Sequence, residues 1–314
     1  MENKQPRIAI LIPCYDEELT IGQVIDEFRE QLPEAEIYVY DNNSRDKTVE
    51  IAKQAGVIVR FENRQGKGFV VQRMFREIDA DVYVMIDGDM TYPVNEVRKL
   101  IAPVLANEAD MVVGSRFATA SASEVKRLNL FGNKLFLRTV NYIFKVQLTD
   151  ILSGYRAFNH NFVKTLPLFG GGFEIETELT IKSLARNYRI VEIPINLTER
   201  PDGSNSKIKF FRDGMLIFNM IFSLFRDYKP LTFFGGIGIV LMFLGLFPGG
   251  LVIWQFLKTG LVPRLPSAVL AVGLEITGML AITVGLVLHT IVRRSLEIEY
   301  QLRGIFEETR DKNH

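Results

Sequence analysis

Two long apolar stretches near the C-terminus constrain this chain most, because such segments are stable only inside a bilayer or deep inside a protein core. Residues 231–257 contain no charged side chain, and residues 267–292 contain one acid, Glu275. Each is long enough to cross a bilayer with some tilt. A buried helix of a soluble protein is the alternative for either stretch alone. Two of them joined by a short loop predict a transmembrane hairpin.

Basic residues are more numerous outside this hairpin than in the loop that joins its spans. The outer ones are Arg226, Lys229, Arg293, Arg294 and Arg303, and those of the loop are Lys258 and Arg264. This bias predicts that both chain ends lie in the cytoplasm. We expect Glu275 to contact another helix in a homo-oligomer rather than to serve transport, since two spans alone make a poor pathway.

The remaining composition excludes several classes of protein. The formal net charge is zero, so no overall positive field indicates a nucleic-acid partner. The single cysteine, Cys14, excludes an internal disulfide and is expected to be a small buried residue. The three histidines are scattered, so no histidine-based metal site is predicted. Residues 1–7 lack the apolar core of a signal peptide.

Strand and helix patterns alternate through the N-terminal part of the chain. The predicted strands are 7–13, 36–40, 57–61, 81–86 and 110–113, and the predicted helices between them are 21–32, 46–55, 66–78 and 94–106. Thr20 and Gln23 form a candidate capping box at the start of the first helix. The alternation predicts βαβ units and a Rossmann-like α/β domain with a mostly parallel sheet.

Polar loops follow the first four predicted strands and should gather at one edge of the sheet, where such folds bind ligands. They are residues 13–18, 41–46, 63–68 and 87–89. Each has an ordinary explanation: 41–46 as a turn with a helix N-cap, and 66–68 as a tight turn whose spacing does not fit a Walker A loop. Their succession at neighbouring strand ends nevertheless predicts a site.

Asp87-Gly88-Asp89 is the most informative of these loops. A buried, β-rich run leads directly into two carboxylates separated by a residue of free backbone conformation. Their oxygens can converge on a hard divalent cation, Mg²⁺ or Mn²⁺. The alternative is a polar turn. Because the other polar loops are expected at the same sheet edge, we predict that Asp87 and Asp89 bind a metal.

These motifs resemble those of glycosyltransferase family 2, which has the GT-A fold. Within it the chain is similar to the polyisoprenyl-phosphate glycosyltransferases, such as dolichol-phosphate mannose synthases and the bacterial GtrB-type glucosyltransferases. The resemblance covers residues 7–212, and the hairpin matches the GtrB-type subgroup. The matching elements are Pro13-x-Tyr15-Asp16-Glu17, Asp41-Asn42-x-Ser44-x-Asp46, Asp87-Gly88-Asp89, Gly114-Ser115-Arg116, Asp150-x-x-Ser153-Gly154-Tyr155-Arg156 and Arg200-x-x-Gly203-Ser204-x-Ser206-Lys207. Asp16 replaces the usual asparagine, and the last element carries one inserted residue.

The resemblance implies a role for each matching residue. The nucleotide would contact Pro13, Tyr15, Glu17, Asp41, Asn42, Ser44, Lys67, Asp87 and Gly88. Asp87 and Asp89 would hold Mg²⁺ or Mn²⁺. The acceptor phosphate would be held by Arg116, Ser153, Arg156, Arg200 and Lys207. Asp87, Asp89 and Arg116 would be catalytic, with Asp150 as the base if one is used.

The expected reaction is metal-dependent transfer of glucose from UDP-glucose to undecaprenyl phosphate, with inversion, at the cytoplasmic face of a bacterial plasma membrane. A phosphate monoester has a second pKa of about 6, so it needs cations more than a base. GDP-mannose stays open as the donor. A processive polysaccharide synthase would need a Gln-x-x-Arg-Trp element, whereas the only tryptophan, Trp254, lies in a span. A non-catalytic membrane anchor is the third interpretation of the sequence.

Two amphipathic segments are predicted to lie in the membrane interface. Residues 126–145 carry a basic stripe formed by Arg127, Lys134, Arg138 and Lys145. Residues 207–230 place aromatic residues on one side and basic residues at both ends. Alternatively, each covers the domain's own core. The predicted organisation is a glycosyltransferase domain at 1–206, a juxtamembrane helix at 207–230, the hairpin at 231–292 and a cytoplasmic tail at 293–314.

Overall fold

The computed structural model describes residues 5–116, 127–170, 175–196, 222–223 and 226–312. The chain divides into two units, Met1–Ile208 and Lys209–His314. The first contains the α/β sheet and the second contains the two apolar helices. Arg200, Lys207 and most of the segment 207–230 lie outside the described residues.

A seven-stranded sheet forms the centre of the first unit. Its strands are β1 (Ile8–Cys14), β2 (Glu36–Asp41), β3 (Ile58–Phe61), β4 (Val82–Met85), β5 (Met111–Ser115), β6 (Arg156–Asn159) and β7 (Ile190–Pro194). They lie in the order β3-β2-β1-β4-β6-β5-β7. Every pair is parallel except the two made by β6. The predicted mostly parallel α/β sheet is therefore confirmed.

Helices connect the strands near the predicted positions. They are α1 (Ile21–Gln31), α2 (Thr48–Gln54), α3 (Lys67–Glu77), α4 (Val97–Leu105, after a 3₁₀ turn at Val94–Glu96), α5 (Arg127–Phe144), α6 (His160–Thr165) and α7 (Ile175–Ala185). The predicted capping box is wrong. Thr20 occupies the N-cap position of α1, but its hydroxyl donates to the Gly88 carbonyl at 2.6 Å instead of capping the helix. The hydroxyl thereby ties the first loop to the Asp87–Asp89 loop.

Both faces of the sheet are covered, which explains why the central strands β1 and β4 are apolar throughout. Side chains alternate between the faces along β1: Ile10 and Ile12 belong to one core, and Leu11 belongs to the other. The first core is completed by α1 and α4, and the second by α3, α6 and α7. The sheet edge at the carboxyl ends of the parallel strands is left to polar loops.

The reversed strand β6 brings a further loop to that edge. Its register pairs Arg156 with Met85 and Asn159 with Val82, antiparallel to β4. The chain therefore enters β6 beside the carboxyl end of β4. Residues 150–155 consequently lie next to the Asp87-Gly88-Asp89 loop, although more than sixty residues separate the two in sequence.

Helix α5 shows that one predicted interfacial segment also serves the domain's own core. Phe136 and Val140 are fully buried, and the helix packs against α7. Leu135 and Tyr142, by contrast, are 54% and 81% exposed. The helix is thus amphipathic as expected. Its apolar residues are divided between the core and the exposed surface.

Among the described residues, the second unit contains two long helices joined by a short turn, α8 (Pro230–Thr259) and α9 (Leu265–Lys312). Both are long and apolar enough to cross a membrane. They approach closely at glycines: a Cβ on Gly238 would lie 2.5 Å from the Gly278 carbonyl oxygen, and one on Gly278 would lie 2.8 Å from that of Gly238. Small residues allow such backbone approach between helices in lipid. Gly260 ends α8 with a left-handed backbone, φ +66°.

Glu275 lies within this hairpin. A Cβ on Gly245 of α8 would be 3.1 Å from its Oε1, so the carboxyl group faces the other helix of the same chain. Glu275 was expected to contact a helix of another copy of the chain. In the structure it contacts α8 of its own chain. The described residues give no support for self-association.

Candidate active site

The first two loops are joined through Asp16. Its backbone is left-handed, with φ +54°, a conformation in which asparagine and aspartate are enriched. Asp16 Oδ1 accepts a hydrogen bond from Arg45 N at 2.7 Å, and Asp16 N donates to Ser44 Oγ at 2.9 Å. Asparagine and aspartate can both make these contacts. The departure from the family's usual asparagine therefore leaves the loop's geometry satisfied.

Further bonds fix the same two loops together. Glu17 N donates to Thr48 Oγ1 at 2.8 Å, and Glu18 N donates to Asp46 Oδ2 at 3.0 Å. Burial opposes ionisation of Asp46, but hydrogen bonds from Thr48 and the main chain lower the pKa of this carboxyl below its ordinary value. Asp46 thus acts as an ionised anchor. In the loop that Asp46 holds, Tyr15 and Glu17 are half-buried at the sheet edge.

The end of β2 supplies Asp41 and Asn42, which have different surroundings. The buried Asp41 carboxylate accepts from Ser44 N at 3.2 Å. Asn42 accepts from Gly66 N at 2.7 Å through Oδ1 and donates to the Glu62 and Arg64 carbonyls at 2.8 Å through Nδ2. The Asn42 side chain, predicted to contact a nucleotide, is therefore engaged in holding the loop before α3.

Lys67, the first residue of α3, forms a buried ionic cluster with Asp87 and Glu176. Its ammonium contacts one carboxylate oxygen of each. The side chains of Lys67, Asp87 and Glu176 are 10%, 28% and 8% exposed. Burial alone would lower the pKa of Lys67, but the two carboxylates outweigh it and raise that pKa above its ordinary value. Lys67 is therefore a fixed positive charge at the end of β4.

Glu176 was not predicted from the sequence. It lies in the first turn of α7, where an acidic residue has an ordinary explanation in the helix dipole. The available signal was the acidic repeat at residues 174, 176 and 178, which is unusual in a segment with so many buried positions. That repeat does not reveal the contact with Lys67.

Gly154 explains why the loop before β6 approaches Asp87 so closely. Its amide donates to the Tyr92 hydroxyl at 2.8 Å. A Cβ at this position would lie 2.5 Å from Asp87 Oδ2 and 3.2 Å from Lys67 Nζ. No side chain fits there without movement of Asp87 or Lys67. Gly88 is similarly confined, since its Cβ would meet Cys14 Sγ at 3.0 Å, and Cys14 is buried as expected.

Arg116 and Asp150 form a forked ion pair beside this cluster. Arg116 Nε and Nη2 donate to the two carboxylate oxygens at 2.7 and 2.9 Å, and Arg116 N donates to Asp150 Oδ2 at 3.1 Å. The Asp150 side chain is completely buried, whereas that of Arg116 is 22% exposed. Asp150, the predicted optional base, is thus occupied in orienting Arg116.

Arg156 was expected to hold the acceptor phosphate, and the structure places it elsewhere. It is completely buried at the start of β6. Its guanidinium donates to the Ser153 and Ile151 carbonyls at 2.8 and 2.6 Å and to Thr180 Oγ1 at 2.9 Å. Burial lowers the pKa of Arg156 to about 10. We therefore assign Arg156 to support of the residue 150–155 loop. Ser153 is buried in that loop.

The donor atoms at the end of β4 suit a hard cation. The described residues contain no group of three or more His, Cys, Asp or Glu side chains that could hold a metal by themselves. Asp87 and Asp89 provide carboxylate oxygens, and Thr91 N orients Asp89 by donating to its Oδ1 at 3.0 Å. Proteins usually bind Mg²⁺ through one or two carboxylates, and water and ligand phosphates complete its coordination. The pair therefore fits Mg²⁺ or Mn²⁺.

Comparison with known proteins agrees with this geometry. Residues 9–166 match the family described as glycosyl transferase family 2. The chain is 35% identical over 240 residues to the glycosyltransferase AglJ of Haloferax volcanii, covering 76% of this chain and 78% of that protein. It is 30% identical over 211 residues to the dolichyl-phosphate hexose transferase of Haloferax volcanii, covering 67% of this chain and 90% of that protein.

A solved structure shares the fold. The glucosyl-3-phosphoglycerate synthase of Mycobacterium tuberculosis, in complex with Mn²⁺, UDP-glucose and phosphoglyceric acid, matches with a TM-score of 0.58. The match covers 70% of this chain and 80% of that chain at 21% identity. The two relatives, the matched segment and the arrangement of strand-end loops lead to one conclusion. This chain is an enzyme that belongs to glycosyltransferase family 2.

Proposed function

We propose that this enzyme transfers a hexose from a nucleotide-sugar to a polyisoprenyl phosphate. The observation that carries the proposal is the close approach of Gly154, in the residue 150–155 loop, to the Asp87 carboxylate. This approach joins a candidate donor site to the candidate acceptor site formed by Arg116 and Asp150. The name of the dolichyl-phosphate hexose transferase supports a hexose as the transferred sugar and a polyisoprenyl phosphate as the acceptor. The two apolar helices support attachment to the membrane that contains such a lipid.

On the donor side, Asp87 and Asp89 would hold Mg²⁺ or Mn²⁺, which would stabilise the negative charge that develops on the diphosphate leaving group. Asp41, Tyr15 and Glu17 line the neighbouring strand ends and would bind the nucleoside. Lys67 adds a permanent positive charge beside Asp87. These residues bind and orient the donor. None of them has to exchange a proton.

On the acceptor side, Arg116 is the cation that the described residues offer. Asp150 fixes the orientation of the Arg116 guanidinium. The partial exposure of the Arg116 side chain leaves that guanidinium accessible to an anion. A lipid phosphate is largely ionised at neutral pH, with a second pKa of about 6, so it can attack without a general base. Direct attack on the anomeric carbon would invert its configuration. Arg200 and Lys207 would add to the phosphate site according to the sequence motif.

Glucose from UDP-glucose and undecaprenyl phosphate as acceptor are the specific substrates that we propose, by the likeness to the GtrB-type subgroup. Transfer would occur at the cytoplasmic face of a bacterial plasma membrane, with both termini on that side. A GDP-mannose-dependent mannose synthase is the second candidate, since the same motifs occur in dolichol-phosphate mannose synthases. Both candidate transferases are favoured over a non-catalytic anchor, because the chain belongs to an enzyme family and carries the paired carboxylates Asp87 and Asp89.

A donor panel tests the proposal. The full chain, purified in detergent, is incubated with Mn²⁺, undecaprenyl phosphate and either UDP-glucose or GDP-mannose, and the nucleotide and glycolipid products are measured. We expect UDP release that depends on the lipid, and a β-linked glucosyl lipid from the α-linked donor. Product from GDP-mannose alone would establish the second candidate. A folded protein that forms no product with either donor would contradict both.

Gly154 provides a sharper test of the contact between the two sides. Gly154→Ala is expected to reduce kcat/KM about 100-fold, because a displacement of about 1 Å at a reacting group can have that effect. Gly236→Ala is the control, since a Cβ there meets nothing within 4 Å. The measurement is initial rate of nucleotide release by both variants. Unchanged activity of Gly154→Ala would show that the close approach to Asp87 has no functional role.

A further inference from the structure

The Lys67 ammonium lies between two carboxylates, only one of which belongs to the proposed metal site. Asp87 follows β4, whereas Glu176 comes from α7, 89 positions further along the chain. We propose that Glu176 is a positioning residue that holds Lys67 and so controls how readily Asp87 exchanges the ammonium for a divalent cation. This inference rests on the proposed function, because it takes Asp87 as a metal ligand.

The geometry gives Glu176 this control because Lys67 is nearly enclosed. With 10% of its side chain exposed, the ammonium has little access to water and must keep an anionic partner. Lys67 contacts Asp87 Oδ1, and the other oxygen, Oδ2, lies against Gly154. A cation that binds Asp87 through Oδ1 therefore has to displace Lys67 or share that oxygen with it. Glu176 allows this, since Lys67 retains a second carboxylate after Asp87 is released.

Charge acts in the same direction. Asp87 and Glu176 carry two negative charges and Lys67 one positive charge, so the cluster retains a net negative charge that attracts a cation. Replacing Glu176 by glutamine would neutralise that excess and leave Lys67 with Asp87 as its only charged partner within the cluster. Both effects weaken metal binding. Removing the ammonium, as in Lys67→Met, would act in the opposite direction by removing a competing positive charge.

The test measures Mn²⁺ binding by electron paramagnetic resonance on the full chain in detergent, without any sugar donor. We expect Glu176→Gln to raise the Kd for Mn²⁺ about tenfold, the order expected for loss of one charge within several ångströms of the ion. Lys67→Met is expected to lower the Kd. The opposite signs distinguish control of Asp87 from general damage to the fold, and Lys67→Met supplies a second test if Glu176→Gln does not fold.

Glu178→Gln is the matched control. Glu178 lies in the same helix, forms an ion pair with Lys182 at 2.5 Å and is similarly enclosed, at 15% exposed. It makes no contact with Lys67 or Asp87 among those of the described residues, so its replacement should leave the Kd unchanged. Equal Kd values for wild type and Glu176→Gln would overturn the inference, as would equal losses in Glu176→Gln and Glu178→Gln. Normal Mn²⁺ binding by Asp89→Asn would instead overturn the metal site itself.

Discussion

Replacing Asp89 with alanine is expected to reduce sugar transfer about 100- to 1000-fold, the scale of loss when a main electrostatic stabiliser of developing charge is removed. The physical reason is that one of the two carboxylates proposed to hold the cation would be missing, so the diphosphate leaving group would not be neutralised. Release of nucleotide and formation of glycolipid, measured with saturating Mn²⁺ and donor, would give the loss in kcat/KM.

The fold should survive this change. The Asp89 side chain is half-buried, and its bond to Thr91 N contributes about 1.5–3 kcal/mol to stability by the usual scale for a hydrogen bond to a charged group. Asp79→Ala is the control, because it removes a carboxylate that lies after α3, is 70% exposed and pairs with His160 away from Asp87. Full activity in a folded Asp89→Ala protein would contradict the metal role of this residue.

Arg116→Ala is expected to destabilise the catalytic unit by about 3–5 kcal/mol, since it leaves the fully buried Asp150 carboxylate without its cation. Sugar transfer should also be lost, because the proposed contact to the acceptor phosphate disappears. Thermal unfolding in detergent measures the first effect. A midpoint lower by about 10 °C would correspond to this range for a unit of this size.

Two further variants separate the structural effect from the functional one. The double variant Arg116→Ala/Asp150→Asn removes both charges, so it should recover part of the stability while transfer stays absent. Arg189→Ala breaks a forked pair of like geometry with Asp110, but Arg189 is 49% exposed, and such surface pairs contribute at most about 1 kcal/mol. A stable, active Arg116→Ala protein would refute both roles proposed for this side chain.

The sequence predicted the features that depend on local pattern. Largely apolar runs identified β1 to β5, and because parallel strands end at one edge, the loops carrying Asp41, Lys67 and Asp87 could be placed together. The apolar stretches at 231–257 and 267–292 identified α8 and α9. In each case the pattern in a short window reflects the environment on both sides of the element, so no distant contact had to be known.

The missed features depend on contacts between distant segments. Strand β6 begins with a buried arginine, and apolar pattern cannot reveal a strand whose guanidinium is satisfied by carbonyls of the preceding loop. For the same reason Arg156 resembled a phosphate ligand. Glu176 was indistinguishable from an ordinary helix-start acid, and Thr20 matched a capping box because the competing acceptor, the Gly88 carbonyl, lies 68 residues away.

The opposite direction of β6 has a consequence for how this enzyme can diversify. The chain leaves the sheet after β5 at Ser115 and returns at Arg156 on the same edge, so everything between them, including α5, is an excursion that starts and ends near the reaction. Up to the residue 150–155 loop, its length and sequence can change without altering the register of β1, β2 or β4. A different lipid could therefore be accommodated by rebuilding one insertion, while the machinery that activates the sugar remains untouched.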